Sequence, residues 1–344
     1  MADRLRWGIL GTGNIARQFA VGVNASKHGV LTAVASRDGA KAAAFAAANG
    51  VAANGVAASL GDYRGLLRRD DVDAVYVSLP NSMHHDWTIA ALEAGKHVLC
   101  EKPFAVTTAE ARAMFAAADA HRRVLMEAFM YRCHPQTLAV QRAVADGVIG
   151  RVTQVRASFC YRTSKIAGNV RFDPALAGGA LMDVGCYCIS LGHLFCGPAT
   201  DGSATGNLHP TGVDDLCTGW LKYAGGAVAS FTCGTGTQAN NTAYICGTDG
   251  FIEIPVPWKP PVPAGEFVIA HATPPKQDFA GGGAPPPPPR RVVTVPFEGD
   301  LYGIEADDFA SSVWTGGSPR VTRAETMEVC RWIERFRAQI GLAY

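Results

Sequence analysis

Lys102 is the first residue whose position suggests chemistry. It follows the apolar run Val98 to Cys100 and precedes Pro103. Proline cannot donate to a sheet ladder, and it biases the residue before it toward an extended conformation. We therefore expect the ammonium at the end of a parallel strand, where open α/β sheets bind ligands. A lysine there can stabilise an alkoxide or lower a neighbour's pKa; the alternative is a solvated lysine at a strand end.

Asp183 and Tyr187 form a second candidate pair. The sequence around them predicts a helix from Ala180 to Leu194, entered through Gly178-Gly179. Because residues four apart share one helix face, the pattern places a carboxylate beside a phenol. The alternatives are an ordinary half-buried aromatic at position 187 and, at position 183, a helix N-terminal carboxylate favoured by the macrodipole.

A dinucleotide site is predicted at the beginning of the chain. The short apolar strand Arg6 to Leu10 leads directly into Gly11-Thr12-Gly13-Asn14-Ile15-Ala16 and then into a helix-like run. In this context the glycines let backbone amides approach a pyrophosphate at a helix N-terminus. The residues Gly11, Thr12, Gly13, Asn14 and Ile15 are therefore candidates for cofactor binding.

The end of the next strand, Val30 to Ala35, selects the cofactor. An NAD site normally has a carboxylate there for the ribose 2′-hydroxyl, but Ser36 and Arg37 come first and suit a 2′-phosphate. Lys41, one helical turn further, adds a second positive charge. We predict NADP rather than NAD. Asp38 would reverse this prediction if it turned inward, and Arg37 as a solvated side chain is the other alternative.

Further candidates for the same crevice come from the other strand ends and their flanking residues. His84 and His85 begin a predicted helix, and either one of them touches the cofactor or both are surface histidines. Arg132 is a secondary candidate for binding substrate or cofactor. The candidates in this group are Leu79, Pro80, Asn81, His84, Glu101, Lys102 and Arg132.

The element pattern predicts an α/β fold in two domains. Strands and helices alternate as in a doubly wound βαβ sheet, which gives a Rossmann domain over residues 1–129. After Gly150 the strands lengthen and hairpin-like turns join them, so residues 130–344 are predicted to form a mostly antiparallel second domain. Within it, the proline- and glycine-rich run 255–296 predicts a long loop.

Composition excludes several partners. The 31 basic and 30 acidic residues nearly cancel and are scattered, so we expect neither nucleic-acid nor membrane binding. No apolar run of about 20 residues is evident. No stretch after Met1 has the features of a signal peptide, so we expect the protein in the cytoplasm and its ten cysteines as free thiols. No metal site is expected, because Cys186 and Cys188 would point to nearly opposite sides of one helix.

Together these motifs resemble the glucose-fructose oxidoreductase, inositol dehydrogenase and rhizopine catabolism protein family, known as Gfo/Idh/MocA. The resemblance rests on Gly11 to Ala16, Pro80-Asn81, Glu101-Lys102-Pro103 and Gly178 to Tyr187. Many members have histidine where this chain has Tyr187. The tyrosine is similar to the branch of glucose-fructose oxidoreductase, dimeric dihydrodiol dehydrogenase and NADP-linked D-xylose or aldose dehydrogenases. The resemblance implies a C-terminal α/β domain with a large, open, predominantly antiparallel sheet whose outer face often forms a homodimer interface.

The expected activity is reversible hydride transfer between the nicotinamide of NADP and a carbinol carbon of a sugar or polyol. Tyr187 would be the general acid/base, with Lys102 favouring its phenolate and binding the reacting oxygen while Asp183 orients the pair. Alternatively, a Lys102 of depressed pKa would carry the proton itself. A reductase, a trans-dihydrodiol dehydrogenase, a cofactor-retaining glycosidase and a non-catalytic NADP-sensing regulator stay open as other functions.

Overall fold

The computed structural model describes residues 4–50, 58–271 and 289–342. Its first layer is a six-stranded parallel sheet in the order β3-β2-β1-β4-β5-β6. The strands are β1 Leu5–Leu10, β2 Gly29–Ala35, β3 Ala58–Leu60, β4 Ala74–Val77, β5 His97–Glu101 and β6 Leu125–Ala128. Helices α1 Asn14–Ala25, α2 Gly39–Ala48, α3 Tyr63–Leu67, α4 His84–Glu93 and α5 Thr108–His121 connect them.

Strand order reverses between β1 and β4, as in a Rossmann fold, so a crevice opens at their carboxyl ends. The strands are nearly continuous apolar runs because helices cover both faces of a parallel sheet. Trp7 of β1 shows how this core is filled. It is fully buried and its ring lies 5.1 Å from that of Phe19 on α1.

The second layer is an eight-stranded sheet in the order β14-β13-β12-β11-β7-β10-β9-β8. Only the β7 and β10 pair is parallel, which confirms the predicted, mostly antiparallel character. Its strands are β7 Val152–Cys160, β8 Ala199–Leu208, β9 Asp214–Tyr223, β10 Val228–Gly234, β11 Ala243–Gly247, β12 Gly250–Ile254, β13 Ala264–His271 and β14 Arg290–Pro296. The remaining helices are α6 Pro135–Ala145, α7 Cys186–Cys196, α8 Leu301–Thr315 and α9 Arg323–Gln339.

The prediction of one long loop over residues 255–296 is wrong, because strands β13 and β14 lie inside that range. Proline and glycine are concentrated outside these two strands, which contain the apolar and β-branched runs that suit a sheet. Residues 272–288, including the first four of the five consecutive prolines, lie outside the described part of the chain.

We propose a domain boundary between residues 129 and 130, because the parallel sheet ends with β6. The last helices nevertheless return to the first domain. Phe309 of α8 lies 5.2 Å from the ring of Trp7.

One segment, Pro174–Cys196, has a mean hydropathy of 1.4 and enough length to cross a membrane, contrary to the expectation that no such run exists. Its most apolar stretch is 83% buried inside the fold, as is typical of a core helix.

Candidate active site

Lys102 and Asp183 meet in the cleft between the two domains. Lys102 directly follows β5, as predicted, and its Nζ donates to the Asp183 carbonyl at 2.8 Å and to Oδ1 at 3.2 Å. Burial lowers the pKa of Lys102, but the Asp183 carboxylate and other acidic groups outweigh this effect, so the pKa is raised. This direction does not support the depressed-pKa alternative. Since an ammonium has three N–H donors, one remains for a ligand.

The Asp183 carboxylate holds two further groups besides Lys102. Its Oδ2 accepts from the Tyr161 hydroxyl at 2.6 Å and from Arg171 Nε at 2.7 Å. Burial raises the pKa of Asp183, but Lys102, Arg171 and the Tyr161 hydrogen bond reverse the shift and lower it. Asp183 is thus a charged carboxylate shared between two cations.

The helix that carries Asp183 begins differently from the prediction. Leu181–Gly185 is a turn of π-helix, and regular α-helix starts only with α7. The single α-helical face assumed for Asp183 and Tyr187 is therefore wrong, because a π turn is wider than an α turn. Such turns are frequent at functional sites.

Gly178 and Gly179 bring Arg171 to this turn. The Gly179 amide donates to the Arg171 carbonyl at 2.8 Å, and a Cβ at Gly178 would lie 2.5 Å from the same oxygen. Only glycine allows this approach. The Arg171 segment is thereby held against the start of the helix, beside Asp183.

Tyr187 lies within an aromatic cluster and is 4% exposed. Its ring contacts those of Phe129, Phe159 and Trp258 with centroids 5.2 to 5.6 Å apart, and its hydroxyl donates to Met130 Sδ at 3.6 Å. The Lys102 Nζ lies 5.2 Å from the ring centroid.

Burial raises the pKa of Tyr187 well above 10. The expectation that Lys102 lowers this pKa is wrong for this arrangement, since the ammonium faces the ring and is paired with Asp183. The side chain is a neutral phenol at physiological pH, and so a proton donor.

The start of α1 fits a dinucleotide pyrophosphate. Its N-cap, Gly13, supplies no side-chain hydrogen bond, and the first turn has no acidic residue. A Cβ at Gly13 would meet nothing within 4 Å, which leaves open space in front of the helix amides. Gly11 has φ +108°, and a Cβ there would lie 2.9 Å from the Ser78 carbonyl. Helices α2, α5, α8 and α9, in contrast, are capped by their own Asp38, Thr107, Asp300 and Thr322.

The end of β2 fits a 2′-phosphate better than a ribose hydroxyl. Asp38 does not turn inward: its Oδ1 accepts from the amides of Ala40 at 2.9 Å and Lys41 at 3.2 Å and so caps α2. Arg37 and Lys41 are exposed beside it, while Ser36 is buried. The strand end therefore offers two cations and a hydroxyl.

Two further candidates are buried among protein groups. His84 is fully buried, with Nδ1 2.9 Å from the Pro103 carbonyl and Nε2 2.9 Å from that of Leu79. Arg132 is 3% exposed and donates to Glu325 Oε1 at 2.7 Å. Both side chains make buried protein contacts, and their direct contact with cofactor or substrate stays a prediction.

Asn81 and Glu101 also make protein contacts, at the edge of the cleft. Asn81 Nδ2 donates to the Ala177 carbonyl at 2.8 Å and so ties the first domain to the second. Glu101 is buried and accepts from the Tyr76 hydroxyl and from the Lys102 amide. Both residues position the strand ends, and their contact with a cofactor stays a prediction.

Comparison with known proteins identifies the family. Residues 5–129 match the model of an oxidoreductase family with an NAD-binding Rossmann fold, and residues 137–253 match the GFO/IDH/MocA C-terminal domain. The D-xylose 1-dehydrogenase (NADP(+)) 2 of Haloferax volcanii is 38% identical over 334 residues, 96% of this chain and 95% of that protein. The chain belongs to the Gfo/Idh/MocA family.

Other relatives of this Gfo/Idh/MocA member are consistent with the predicted branch. The trans-1,2-dihydrobenzene-1,2-diol dehydrogenase of Mus musculus is 36% identical over 74% of this chain and 76% of its own. Among solved structures, KijD10, a 3-ketoreductase from Actinomadura kijaniata in complex with NADP and TDP-benzene, superposes with a TM-score of 0.85 at 29% identity over 98% of each chain.

Four side chains at the site of this Gfo/Idh/MocA member were missed by sequence reasoning: Tyr161, Arg171, Trp258 and Lys259. Tyr161 follows the end of β7, Arg171 lies in the 3-10 turn Val170–Phe172, and the other two lie in an irregular segment. No periodicity or motif marks them, because tertiary contacts place them in the cleft. The Trp258-Lys259 pair within a proline-rich run was the only local signal.

Proposed function

We propose that this protein is an NADP-dependent oxidoreductase that acts on a carbinol carbon of a sugar or polyol. The observation that carries the proposal is the charged Lys102, held by Asp183 with one N–H to spare, beside the phenol of Tyr187. Both lie at the crevice where α1 presents uncapped amides. The relationship to an NADP-linked D-xylose dehydrogenase supports this assignment.

NADP, when bound, supplies the hydride acceptor for oxidation of the carbinol and the donor for reduction of the carbonyl. Lys102 donates its remaining N–H to the reacting oxygen and stabilises negative charge there. Tyr187 gives the hydroxyl proton to that oxygen in reduction and takes it back in oxidation. Asp183, supported by Tyr161 and Arg171, keeps Lys102 charged and oriented.

The protonation state of Tyr187 affects the rates of reduction and oxidation differently at neutral pH. Because burial raises its pKa, the phenol is ready to donate a proton but is a poor acceptor. We therefore expect carbonyl reduction to be efficient at neutral pH and carbinol oxidation to accelerate as the pH rises.

NADP is favoured over NAD by the charges at the end of β2. Arg37 and Lys41 are exposed there. The Asp38 carboxylate accepts from the amides of its own helix, and its Oδ2 lies 3.9 Å from the Lys41 Nζ in an exposed pair that a 2′-phosphate can replace. An Arg side chain pairs well with phosphate because its planar donors match the oxygens.

A second candidate substrate class is a diol whose two hydroxyl groups are on adjacent carbons of an unsaturated ring. The aromatic side chains of Phe159, Tyr187 and Trp258 pack together beside Lys102, and an aromatic cluster suits a flat apolar substrate. The relationship to trans-dihydrodiol dehydrogenases points the same way.

The direct test is absorbance at 340 nm with NADP or NAD across pentoses, hexoses, inositols and a trans-dihydrodiol. Reduction of NADP by an aldopyranose supports the leading proposal, and reduction by the dihydrodiol alone supports the second. Tight NADPH binding without turnover of any alcohol, or of the matching carbonyls in the reverse assay, would instead indicate a sensing regulator.

The same proposal includes a homodimer formed through the outer face of the eight-stranded sheet. A groove of about 460 Å³ on the sheet is lined mostly by polar side chains together with Ala157, Phe231 and Tyr244, and Trp220 of β9 is 40% exposed. Light scattering of the wild type and of Trp220→Glu tests this: a dimer that dissociates in the variant is expected, and a wild-type monomer would contradict it.

The proposal also includes a cytoplasmic location, where cysteines stay as free thiols. All ten cysteines are free in the structure.

A further inference from the structure

The segment that joins β12 to β13, residues 255–263, forms a short strap across the cleft. It is anchored by Trp258, which is 3% exposed, stacks on Phe159 at 5.7 Å and donates from Nε1 to the Ser158 carbonyl at 2.9 Å. Pro260 is also buried. Lys259 lies between these two buried residues and is itself exposed, so the strap presents its side chain from a fixed backbone.

The Lys259 ammonium reaches the first domain. Its Nζ donates to Gln18 Oε1 at 3.2 Å and lies 6.0 Å from the ring centroid of Tyr302 on α8. The Tyr302 hydroxyl donates to the same Gln18 oxygen at 3.2 Å. Gln18 is four residues after Asn14 on α1, and therefore on the same face of the helix that begins at the glycine turn.

The charge of Lys259 is not matched by a carboxylate. Within residues 4–50, 58–271 and 289–342, Lys259 forms no ion pair, and its hydrogen-bond partner is the neutral Gln18 amide. Asp183, in the same cleft, is already shared by Lys102 and Arg171. Burial, Lys102 and Arg171 lower the pKa of Lys259 and outweigh the opposite effects of Glu101 and Asp183, neither of which forms an ion pair with Lys259.

We propose that Lys259 is a further NADP-binding residue, whose ammonium leaves Gln18 to bind the pyrophosphate and so closes the second domain over the cofactor. The inference rests on the proposed function. A dinucleotide that begins at Arg37, crosses the α1 amides and ends at Lys102 passes in front of Gln18. The ligand is the diphosphate rather than the 2′-phosphate, because the 2′-phosphate position lies with Arg37 at the end of β2.

The test compares two nucleotides and three variants. Dissociation constants for NADPH, by fluorescence, and for adenosine 2′-monophosphate, by competition, are measured for the wild type, Lys259→Met, Lys259→Arg and the control Lys27→Met. The monophosphate has the 2′-phosphate but no phosphate at the 5′ position, where the pyrophosphate of NADPH is attached. We expect Lys259→Met to weaken NADPH about tenfold and to flatten its salt dependence, with the monophosphate unchanged. Lys259→Arg should restore binding, and Lys27→Met should resemble the wild type.

Several outcomes would overturn this assignment. NADPH binding to Lys259→Met as tight as in the wild type contradicts it, and a change only in the KM of the sugar would make Lys259 a substrate residue. Equal weakening of both nucleotides would place the contact elsewhere. If the wild type binds neither nucleotide, the proposed function itself fails, whereas normal wild-type binding without a Lys259 effect removes this inference alone.

Discussion

Lys102 and Asp183 are separated by 81 residues in the sequence, yet the lysine ammonium donates to both the carbonyl and the carboxylate of the aspartate. Lys102 ends a strand of the parallel sheet, and Asp183 lies on a π turn that packs against the antiparallel sheet. The candidate centre therefore exists only when both domains are folded and packed together.

Asp183→Asn should leave Lys102 and Arg171 without their shared counter-charge. Since Asp183 raises the pKa of Lys102 in the wild type, we expect that pKa to fall in the variant. Turnover should drop by about 10² or more, and the alkaline limb of the kcat/KM profile should move to lower pH. Asp173→Asn, which alters only a local cap, is the matched control. An unchanged pH profile in Asp183→Asn would mean that the carboxylate does not set the charge of Lys102.

His84 and His85 are neighbours with opposite expected effects. His84 is buried against the Leu79 and Pro103 carbonyls and its neutral ring donates to one of them, so His84→Ala leaves a buried carbonyl oxygen without its donor and should cost about 2 kcal/mol or more of unfolding free energy. His85 pairs with the exposed Asp86, and His85→Ala should change stability by less than about 1 kcal/mol. Chemical denaturation measures both. Equal effects would contradict a stabilising contact between His84 and these carbonyls.

Arg37→Gln should weaken NADP binding selectively. Loss of a charge-assisted contact to the 2′-phosphate predicts a rise of about 10- to 100-fold in the Kd for NADP, with the Kd for NAD unchanged. Arg323→Gln is a suitable control, because this exposed arginine pairs with Asp119. Parallel weakening of NAD and NADP in Arg37→Gln would show that the arginine supports the fold of the site rather than the phosphate.

Glu127 should make the protein less stable as the pH rises. It is fully buried, accepts from the Phe104 amide at 3.1 Å, and burial raises its pKa from 4.5 to about 8. Between these values the folded state holds a proton that the unfolded state releases. The stabilisation is thus complete below about pH 4.5 and is lost as the pH rises through 8, with a slope of at most about 1.4 kcal/mol per pH unit.

Glu127→Gln keeps an oxygen acceptor for the Phe104 amide and removes the titration. Unfolding free energies of the wild type and the variant, measured between pH 5 and 9, should diverge in favour of the variant as the pH rises. Parallel curves would show that Glu127 does not titrate in this range.

The first domain was predictable because its signals are local. The glycine turn after β1, the Lys102-Pro103 stop after β5 and the Ser36-Arg37 strand end are each set by a few consecutive residues. The open question about Asp38 needed the structure, because only the capping of α2 shows which way the carboxylate turns.

The second domain was less predictable because long-range contacts shape it. Strand β8, with the sequence ATDGSATGNL, has little β propensity and lies at the edge of the sheet. Its strand conformation therefore depends on pairing with β9 rather than on its own residues. The π turn at Asp183 has no sequence signature. Arg171 and Lys259 reach the cleft only through backbone contacts at Gly178 and the anchoring of Trp258.

The most direct test of the account is the single-turnover rate of hydride transfer in Tyr187→Phe, followed by NADPH absorbance together with the Kd for NADPH. Phenylalanine keeps the ring contacts with Phe129, Phe159 and Trp258 and removes only the hydroxyl. We predict a rate lower by about 10² to 10⁴ with NADPH binding within about twofold of the wild type. A wild-type rate in this variant would contradict Tyr187 as the group that exchanges the proton.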